Sequence, residues 1–284
     1  MAALAPLVTL YDESAGEALP LPAPLAALYG GPLRLARHPA QPRMLANFVT
    51  TLDGVVALDD PDHVGGGEIS GWNVHDRMVM GLLRAVAGAV VVGARTMAAD
   101  PQALWTAEHI YPPLAREYQE LRAALGETQP PLQVFVTARG VIPREHPALR
   151  AGAAPVLIVT TEAGAAQLRA AALPSAVEIA AVQPAGAIPA RTVLAAIQQR
   201  RASAVVLVEG GPHLLGDMLA ERQVDELFLT LAPQIAGRAD DHARLGLVAG
   251  RTFAPQRPLW STLASVKLAG SHLLLRYALQ RSQK

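Results

Sequence analysis

Apolar residues along this chain follow two rhythms. The first is a set of short, nearly unbroken runs: Met44 to Leu52, Ala89 to Gly93, Gln133 to Thr137, Pro155 to Thr161, Val177 to Val182, Val205 to Val208 and Glu226 to Leu231. Runs of this length, bounded by glycine, proline or hydroxyl residues, read as strands covered on both faces. The second rhythm has apolar residues three or four apart. Val74, Met78, Leu82 and Val86 would share one buried helix face, with Ser70 or Asn73 as the cap. Further helices are predicted over Pro113 to Leu125, Ala163 to Ala172, Ala190 to Arg201 and from Pro212 to about Glu221. Thr262 to Leu268 and His272 to Leu279 flank Ala269-Gly270-Ser271 as a hairpin, after a loop-rich stretch from Pro233 to Arg257. Strands alternating with helices, then antiparallel strands, predict an α/β fold. Its sheet is mostly parallel, with an antiparallel C-terminal edge.

Two segments break the pattern. Residues 1–42, rich in Pro, Ala and Leu, read as an arm packed on the main body, without assigned chemistry. Asp53-Gly54 interrupts an apolar stretch, as a hairpin turn or as a kink that aims a loop over a pocket. Asp53 is read as a turn former rather than a proton donor. The acidic residues Asp59, Asp60 and Asp62, with His63, lack metal-site spacing and are expected in a mobile solvated loop. Arg77 and Arg84, seven residues apart on one helix, share a face.

The most informative run is Val205-Val206-Leu207-Val208-Glu209-Gly210-Gly211-Pro212-His213-Leu214-Leu215-Gly216. A buried strand ends in a carboxylate, two glycines keep the turn free of side chains, and Pro212 opens a helix. Backbone N–H groups at such a helix start favour a phosphate; a tight turn with nothing bound is the plain alternative. A second strand–glycine–turn unit, Val92-Gly93-Ala94-Arg95-Thr96, repeats the theme. In open sheets ligands sit beyond the carboxyl ends of the strands, where both units fall. Thr137 with Arg139, at another strand end, suits the extra phosphate of NADPH.

Composition narrows the field. The 284 residues contain 51% hydrophobic types and carry zero formal charge, which disfavours nucleic-acid or anionic-membrane partners. The absence of cysteine excludes disulfides, thiolate metal sites and Cys nucleophiles. No secretory signal is expected, and a cytoplasmic protein is the default. A P-loop, an early G-x-G-x-x-G, a G-x-S-x-G elbow and H-E-x-x-H are all missing.

Asn47-Phe48-Val49-Thr50-Thr51-Leu52-Asp53-Gly54, Leu83-Arg84-Ala85, Val92 to Thr96 with Asp100-Pro101, and Val208 to Pro212 together resemble the reductase domain of bifunctional riboflavin-biosynthesis proteins. Asp225-Glu226-Leu227 and Ala232 to Gly237 extend the likeness over about residues 43–280. The resemblance implies a dihydrofolate reductase-like, three-layer α/β/α domain over 43–284. It also implies NADPH-dependent reduction of 5-amino-6-(5-phosphoribosylamino)uracil, with hydride passing from nicotinamide C4 to ribose C1′, and a homodimer. Cofactor contacts would fall on Val49, Gly93, Thr96, Asp100, Thr137, Gly210, Gly211, Pro212, His213, Leu214 and Leu215. The phosphorylated pyrimidine would meet Ser70, Arg84, Leu104 and Glu209, with Glu209 orienting its polar end. Ordinary roles remain for two of these: Glu209 as a helix-start carboxylate and Asp100 as a loop cap. No general acid is assigned and no metal is expected. The fused deaminase domain, whose zinc motif needs cysteine, is not in this sequence. Family members often carry an arginine soon after the Asp-Pro-x-Leu segment, whereas here Trp105 follows Leu104 and the next arginine is Arg116. Another pyrimidine- or pterin-like substrate such as dihydrofolate, or a non-catalytic nucleotide-binding protein, stays open.

Overall fold

Elements follow one another as β1 (Val8–Asp12), β2 (Glu17–Ala18), α1 (Ala23–Tyr29), β3 (Arg34–Leu35), β4 (Arg43–Thr50), β5 (Val55–Ala57), α2 (Gly66–Ser70), α3 (Val74–Val86), β6 (Ala89–Gly93), α4 (Ala94–Ala99), α5 (Ala107–Ile110), α6 (Ala115–Ala124) and β7 (Leu132–Thr137). The second half adds β8 (Val156–Thr160), α7 (Glu162–Ala170), β9 (Val177–Ala181), α8 (Ala190–Arg200), β10 (Val205–Val208), α9 (Pro212–Ala220), β11 (Glu226–Leu231), β12 (Leu245–Gly246), β13 (Ser261–Ala269) and β14 (His272–Leu279). The computed structural model describes residues 4–280 apart from 37–40, 59, 61–64, 151, 153, 172 and 240–243. Asp59, Asp62 and His63 of the expected acidic loop therefore lie outside the described residues.

Ten strands form one sheet in the order β1-β13-β14-β11-β4-β10-β6-β7-β8-β9. From β11 to β9 every neighbouring pair is parallel. β14, β13 and β1 add an antiparallel edge. The apolar runs alternate between two cores as period-2 geometry demands. Val205 and Leu207 of β10, and Val90 and Val92 of β6, face the layer of α1, α3, α6 and α7. Val206, Val208, Ala89 and Val91 face α8 and α9. The expected three-layer α/β/α arrangement with an antiparallel hairpin is thus observed.

The segment before residue 43 shares this sheet. β1 pairs with β13, and Leu25, Leu33 and Leu35 are fully buried. Lys267, only 2% exposed, holds the segment in place. Its Nζ donates to Thr9 Oγ1 at 2.8 Å and Gly30 O at 3.2 Å, and lies 4.4 Å from the centre of the Tyr29 ring. Burial lowers the affinity of this amine for its proton.

Two expectations change. Val74 is 45% exposed, while Met78, Leu82 and Val86 are buried. Val74 is the first residue of α3, at the exposed start of the helix. Asp53-Gly54 does not make a β4–β5 hairpin, because β5 pairs instead with β12. The kink is fixed by the Asp53 carboxylate. It accepts from Thr51 Oγ1 at 2.6 Å, Ala236 N at 3.1 Å and Gly237 N at 2.8 Å. These bonds, led by the Thr51 hydroxyl, lower its pKa to about 2.

The antiparallel edge is anchored by a buried charge network. Glu226 Oε2 accepts from Arg276 Nε at 2.5 Å, and its Oε1 accepts from Arg43 Nη2 at 2.7 Å. Arg276 Nη2 also donates to Arg34 O at 2.6 Å, so the same network reaches the N-terminal segment. Replacing Glu226 by Ala leaves the buried Arg276 cation uncompensated. Such a change costs about 3–5 kcal/mol and should appear as a lowered urea midpoint with an unchanged m-value.

Candidate active site

The rim at the carboxyl ends of the parallel strands gathers the chemistry. Strand order places the ends of β4, β10, β6 and β7 side by side, a row about 14 Å long at ~4.8 Å per strand. The two glycine turns meet within this row. Gly93 N donates to Gly210 O at 2.9 Å, and Glu209 N donates to Val91 O at 3.0 Å. A Cβ on Gly93 would find nothing nearer than Gly211 N at 3.8 Å, so the backbone is open to an approaching group there. Thr96 leans on the other turn: its Oγ1 would lie 2.9 Å from a Cβ on Gly210, where φ is +144°.

Side-chain caps are present at some helix starts and absent from others. Asn73 caps α3 through bonds from His75 N and Asp76 N, and Thr161 caps α7 through Gly164 N. Gly93 ahead of α4 and Gly211 ahead of α9 supply no side-chain cap, and neither helix has an acid in its first turn. First-turn N–H groups lack intrahelical partners. Around Gly211 these donors are left to backbone, water or a ligand, in a field that favours an anion. Leu215 is buried and donates its N–H to Gly211 O at 3.0 Å. Pro212, His213 and Leu214 form the outer face of this turn, with His213 exposed.

Below the turn sits an ion pair. The β10 alternation that sends Val205 and Leu207 toward α3 sends Glu209 the same way. Arg84 of α3 donates to Glu209 Oε2 from Nε at 2.9 Å and from Nη2 at 2.8 Å. Its Nη1 donates to Leu104 O at 3.1 Å and Thr106 O at 3.3 Å. The two side chains are 4% and 3% exposed. Glu209 is therefore more than a helix-start carboxylate, and Arg84, Leu104 and Glu209 form one unit. Glu209 Oε1 is buried and has no hydrogen-bond partner among the described residues.

Ser70 is 1% exposed at the end of α2. Its Oγ donates to Gly67 O at 3.1 Å, and its carbonyl accepts from His272 Nε2 at 2.9 Å. Val49 of β4 is half-buried beside α2, its Cγ1 3.0 Å from where a Cβ on Gly66 would stand.

The remaining candidates lie farther out. Asp100 ends α4 with its side chain exposed, while its carbonyl accepts from His146 Nε2 at 2.8 Å. Thr137 is buried and donates to Val141 O at 3.4 Å, and Arg139 is exposed. Trp105 turns inward. It is 3% exposed, stacks on His146 at 5.6 Å and meets Phe135 edge-on at 5.2 Å.

One residue escaped the sequence reading. Asp76, in the first turn of α3, is 5% exposed. Burial raises its pKa to about 6; the Thr230 hydroxyl, His272 and the Ser70 hydroxyl oppose this, and the like charge of Glu209 adds to it. In sequence it reads as an ordinary acid at a helix start. The available signal was its place on the stripe of Val79 and Leu83, both buried. Among the described residues no group of His, Asp and Glu is placed to hold a metal, and no helix is long and apolar enough to cross a membrane.

Comparisons with known proteins bear on the fold and the family. A pyrimidine reductase-like protein from Corynebacterium diphtheriae superposes with a TM-score of 0.64 at 19% identity, covering 85% of this chain and 93% of that one. A deaminase/5-amino-6-(5-phosphoribosylamino)uracil reductase from Thermotoga maritima gives a TM-score of 0.59 at 20% identity, over 85% of this chain and 57% of that one. The Saccharomyces riboflavin biosynthesis reductase gives 0.54 at 13% identity, over 84% and 90%. The chain thus spans just over half the length of the bifunctional Thermotoga protein. A search of curated proteins gives no match. At these identities the superpositions establish the fold. Residues 42–255 match the RibD C-terminal domain, and the chain belongs to that family.

Proposed function

We propose that this protein is an NADPH-dependent reductase of the riboflavin pathway. Its substrate is 5-amino-6-(5-phosphoribosylamino)uracil, reduced to the ribitylamino compound. The observation that carries the reading is the junction of two uncapped, glycine-led helix starts at Gly93 and Gly211, joined by the Gly93 N–Gly210 O bond beside a buried carboxylate. The residues present fit a phosphorylated dinucleotide. Neither helix start has a side-chain cap or an acid in its first turn, and the row of strand ends suits an extended ligand. Gly210 to Leu215 would hold the phosphates, with Gly93, Thr96, Val49 and Asp100 along the rest of the molecule and Thr137 toward its far end. Bound NADPH supplies the hydride. The chain orients the reacting carbon, excludes water and reads the heterocycle through Glu209 and Ser70. Arg84 holds the Glu209 carboxylate and the Leu104 wall in register.

A second reading keeps fold and cofactor but takes a different pyrimidine- or pterin-like heterocycle, such as dihydrofolate. Inward-turned Trp105 favours it, because no arginine or lysine occurs between Leu104 and Arg116. Adding each substrate to protein preloaded with NADPH and following loss of the nicotinamide absorbance separates the two. Oxidation with the aminouracil compound supports the first reading. Oxidation with dihydrofolate alone supports the second. Binding of NADPH without either leaves a nucleotide-binding protein, and no binding at all removes both enzyme readings.

Two substitutions test the assignments. A Cβ on Gly211 has one near neighbour, Thr96 Oγ1 at 3.1 Å, which must give by a few tenths of an ångström. Gly211→Val should leave the unfolding midpoint near that of the wild type while weakening NADPH at least tenfold in a fluorescence titration. Glu209→Gln should lower kcat about a hundredfold, as for loss of one charged site group, with less than a threefold change in NADPH affinity. Equal losses in both would contradict its assignment to substrate.

A further inference from the structure

Strand register places one more polar side chain beside Glu209. Between β10 and β4, Leu207 pairs with Leu45 and Val208 with Ala46. One residue further on, Glu209 comes level with Asn47. Leu45 and Leu207 face the α3 layer, and the alternation along each strand sends Asn47 and Glu209 to that same face. Two bonds hold Glu209 to this placement. Its N–H continues the ladder to Val91 O at 3.0 Å, and its carboxylate meets Arg84 of α3. On the other flank of β4, Asn47 pairs with Phe228, which also faces the α3 layer. Adjacent strands lie about 4.8 Å apart, so carboxamide and carboxylate stand side by side. The chain passes from Glu209 directly into Gly210 and Gly211, so the pair lies beneath the glycine turn. Asn47 is the polar member of an otherwise apolar patch of β4, between Leu45 and Val49, and is 8% exposed. Its carboxamide makes no hydrogen bond to a described residue, and Glu209 Oε1 is the buried acceptor without a partner there. Buried polar groups are ordinarily bonded, and here two of opposite sense adjoin.

We infer that Asn47 and Glu209 read one edge of the heterocycle together, Asn47 Nδ2 donating to a ring carbonyl oxygen and Glu209 Oε1 accepting from the adjoining ring N–H. The ligand class is therefore a ring with a cyclic amide edge, C=O beside N–H. This deepens the reductase reading above, on which it rests, and makes Asn47 a specificity-determining residue. Beside a carboxylate, a carboxamide presents its NH2 rather than its oxygen, because two acceptor oxygens repel and neither carries a proton to share. The order along the floor is donor then acceptor, the complement of such an edge. A ring that lacks the carbonyl or the N–H leaves a buried polar atom unpaired, and that penalty provides the selectivity.

The test titrates the ribitylamino compound, which carries that edge and needs no turnover, into the full chain and into Asn47→Leu. Leucine keeps the branched shape but cannot hydrogen-bond. Affinity should fall at least tenfold in Asn47→Leu, with NADPH affinity within twofold of the wild type. The unfolding midpoint should hold, since no bond within the protein is lost. A lowered midpoint with unchanged affinity would mean that Asn47 bonds to the protein itself, and overturns the proposal. A second arm replaces the ring oxygen by sulfur, a weak acceptor. The wild type should bind this thio analogue at least fivefold more weakly than the oxo compound, and Asn47→Leu less than twofold more weakly. Equal oxo-to-thio ratios in the two proteins also overturn it. Consumption of NADPH with the aminouracil separates this pair from the reductase reading. A wild type that oxidises no NADPH, yet binds the ribitylamino compound through Asn47, loses the reductase reading and keeps the pair. A wild type that turns over, matched by Asn47→Leu in KM and affinity, keeps the reading and loses the pair. A wild type without turnover that binds neither the ribitylamino compound nor dihydrofolate, which carries the same edge, overturns both.

Discussion

A buried ion pair, Arg84 with Glu209, holds the working end of this molecule together. Burying two charges costs several kcal/mol per ion, so the pair is a poor device for stability alone. Its geometry explains its use. Arg84 spends four hydrogen bonds on two segments: two on Glu209 at the end of β10, and one each on Leu104 and Thr106 in the loop after α4. The glycine turn, the Leu104 wall and helix α3 are thereby fixed relative to one another. Only one oxygen of Glu209 is used; the other is buried and has no hydrogen-bond partner among the described residues. A group of that kind is costly when empty and selective when filled, because a ligand without an N–H leaves the cost in place.

The rest of the fold serves that constraint. Alternating apolar runs set the facing of each strand, and Glu209 inherits its direction from Val205 and Leu207. The return of the chain from β9 to β10, between β4 and β6, brings Gly210 beside Gly93 although they are more than a hundred residues apart in sequence. Sequential connections alone would never have made that contact. Braces farther out tie the loop that carries Leu104. His146 bonds to Asp100 O and stacks on Trp105, whose N–H is taken by Gln133 Oε1 at 3.0 Å.

Much of this was legible in the chain. Buried strands such as Ala89 to Gly93 announce themselves, because a strand covered on both faces leaves no room for polar residues. The glycine turns were legible for the opposite reason: close approach of backbone leaves no room for side chains. What depended on distant partners was not legible. Val8 to Asp12 has no buried face and becomes a strand only because β13 offers it an edge. Val74 fits a helical stripe, yet at the first position of α3 it stays exposed. Asp76 was hidden by its ordinary place at a helix start; its character comes first from burial by elements distant in sequence, with the like charge of Glu209 adding to it.

The central claim is that amides from two strand ends form a single cradle for a phosphorylated cofactor. Hydrogen exchange read by mass spectrometry, with and without NADPH, addresses it without a substrate. Peptides covering residues 92–97 and 209–216 should slow together, while the N-terminal edges of the same strands exchange as before. Unchanged exchange in both stretches at saturating NADPH, or protection in one without the other, would contradict the account.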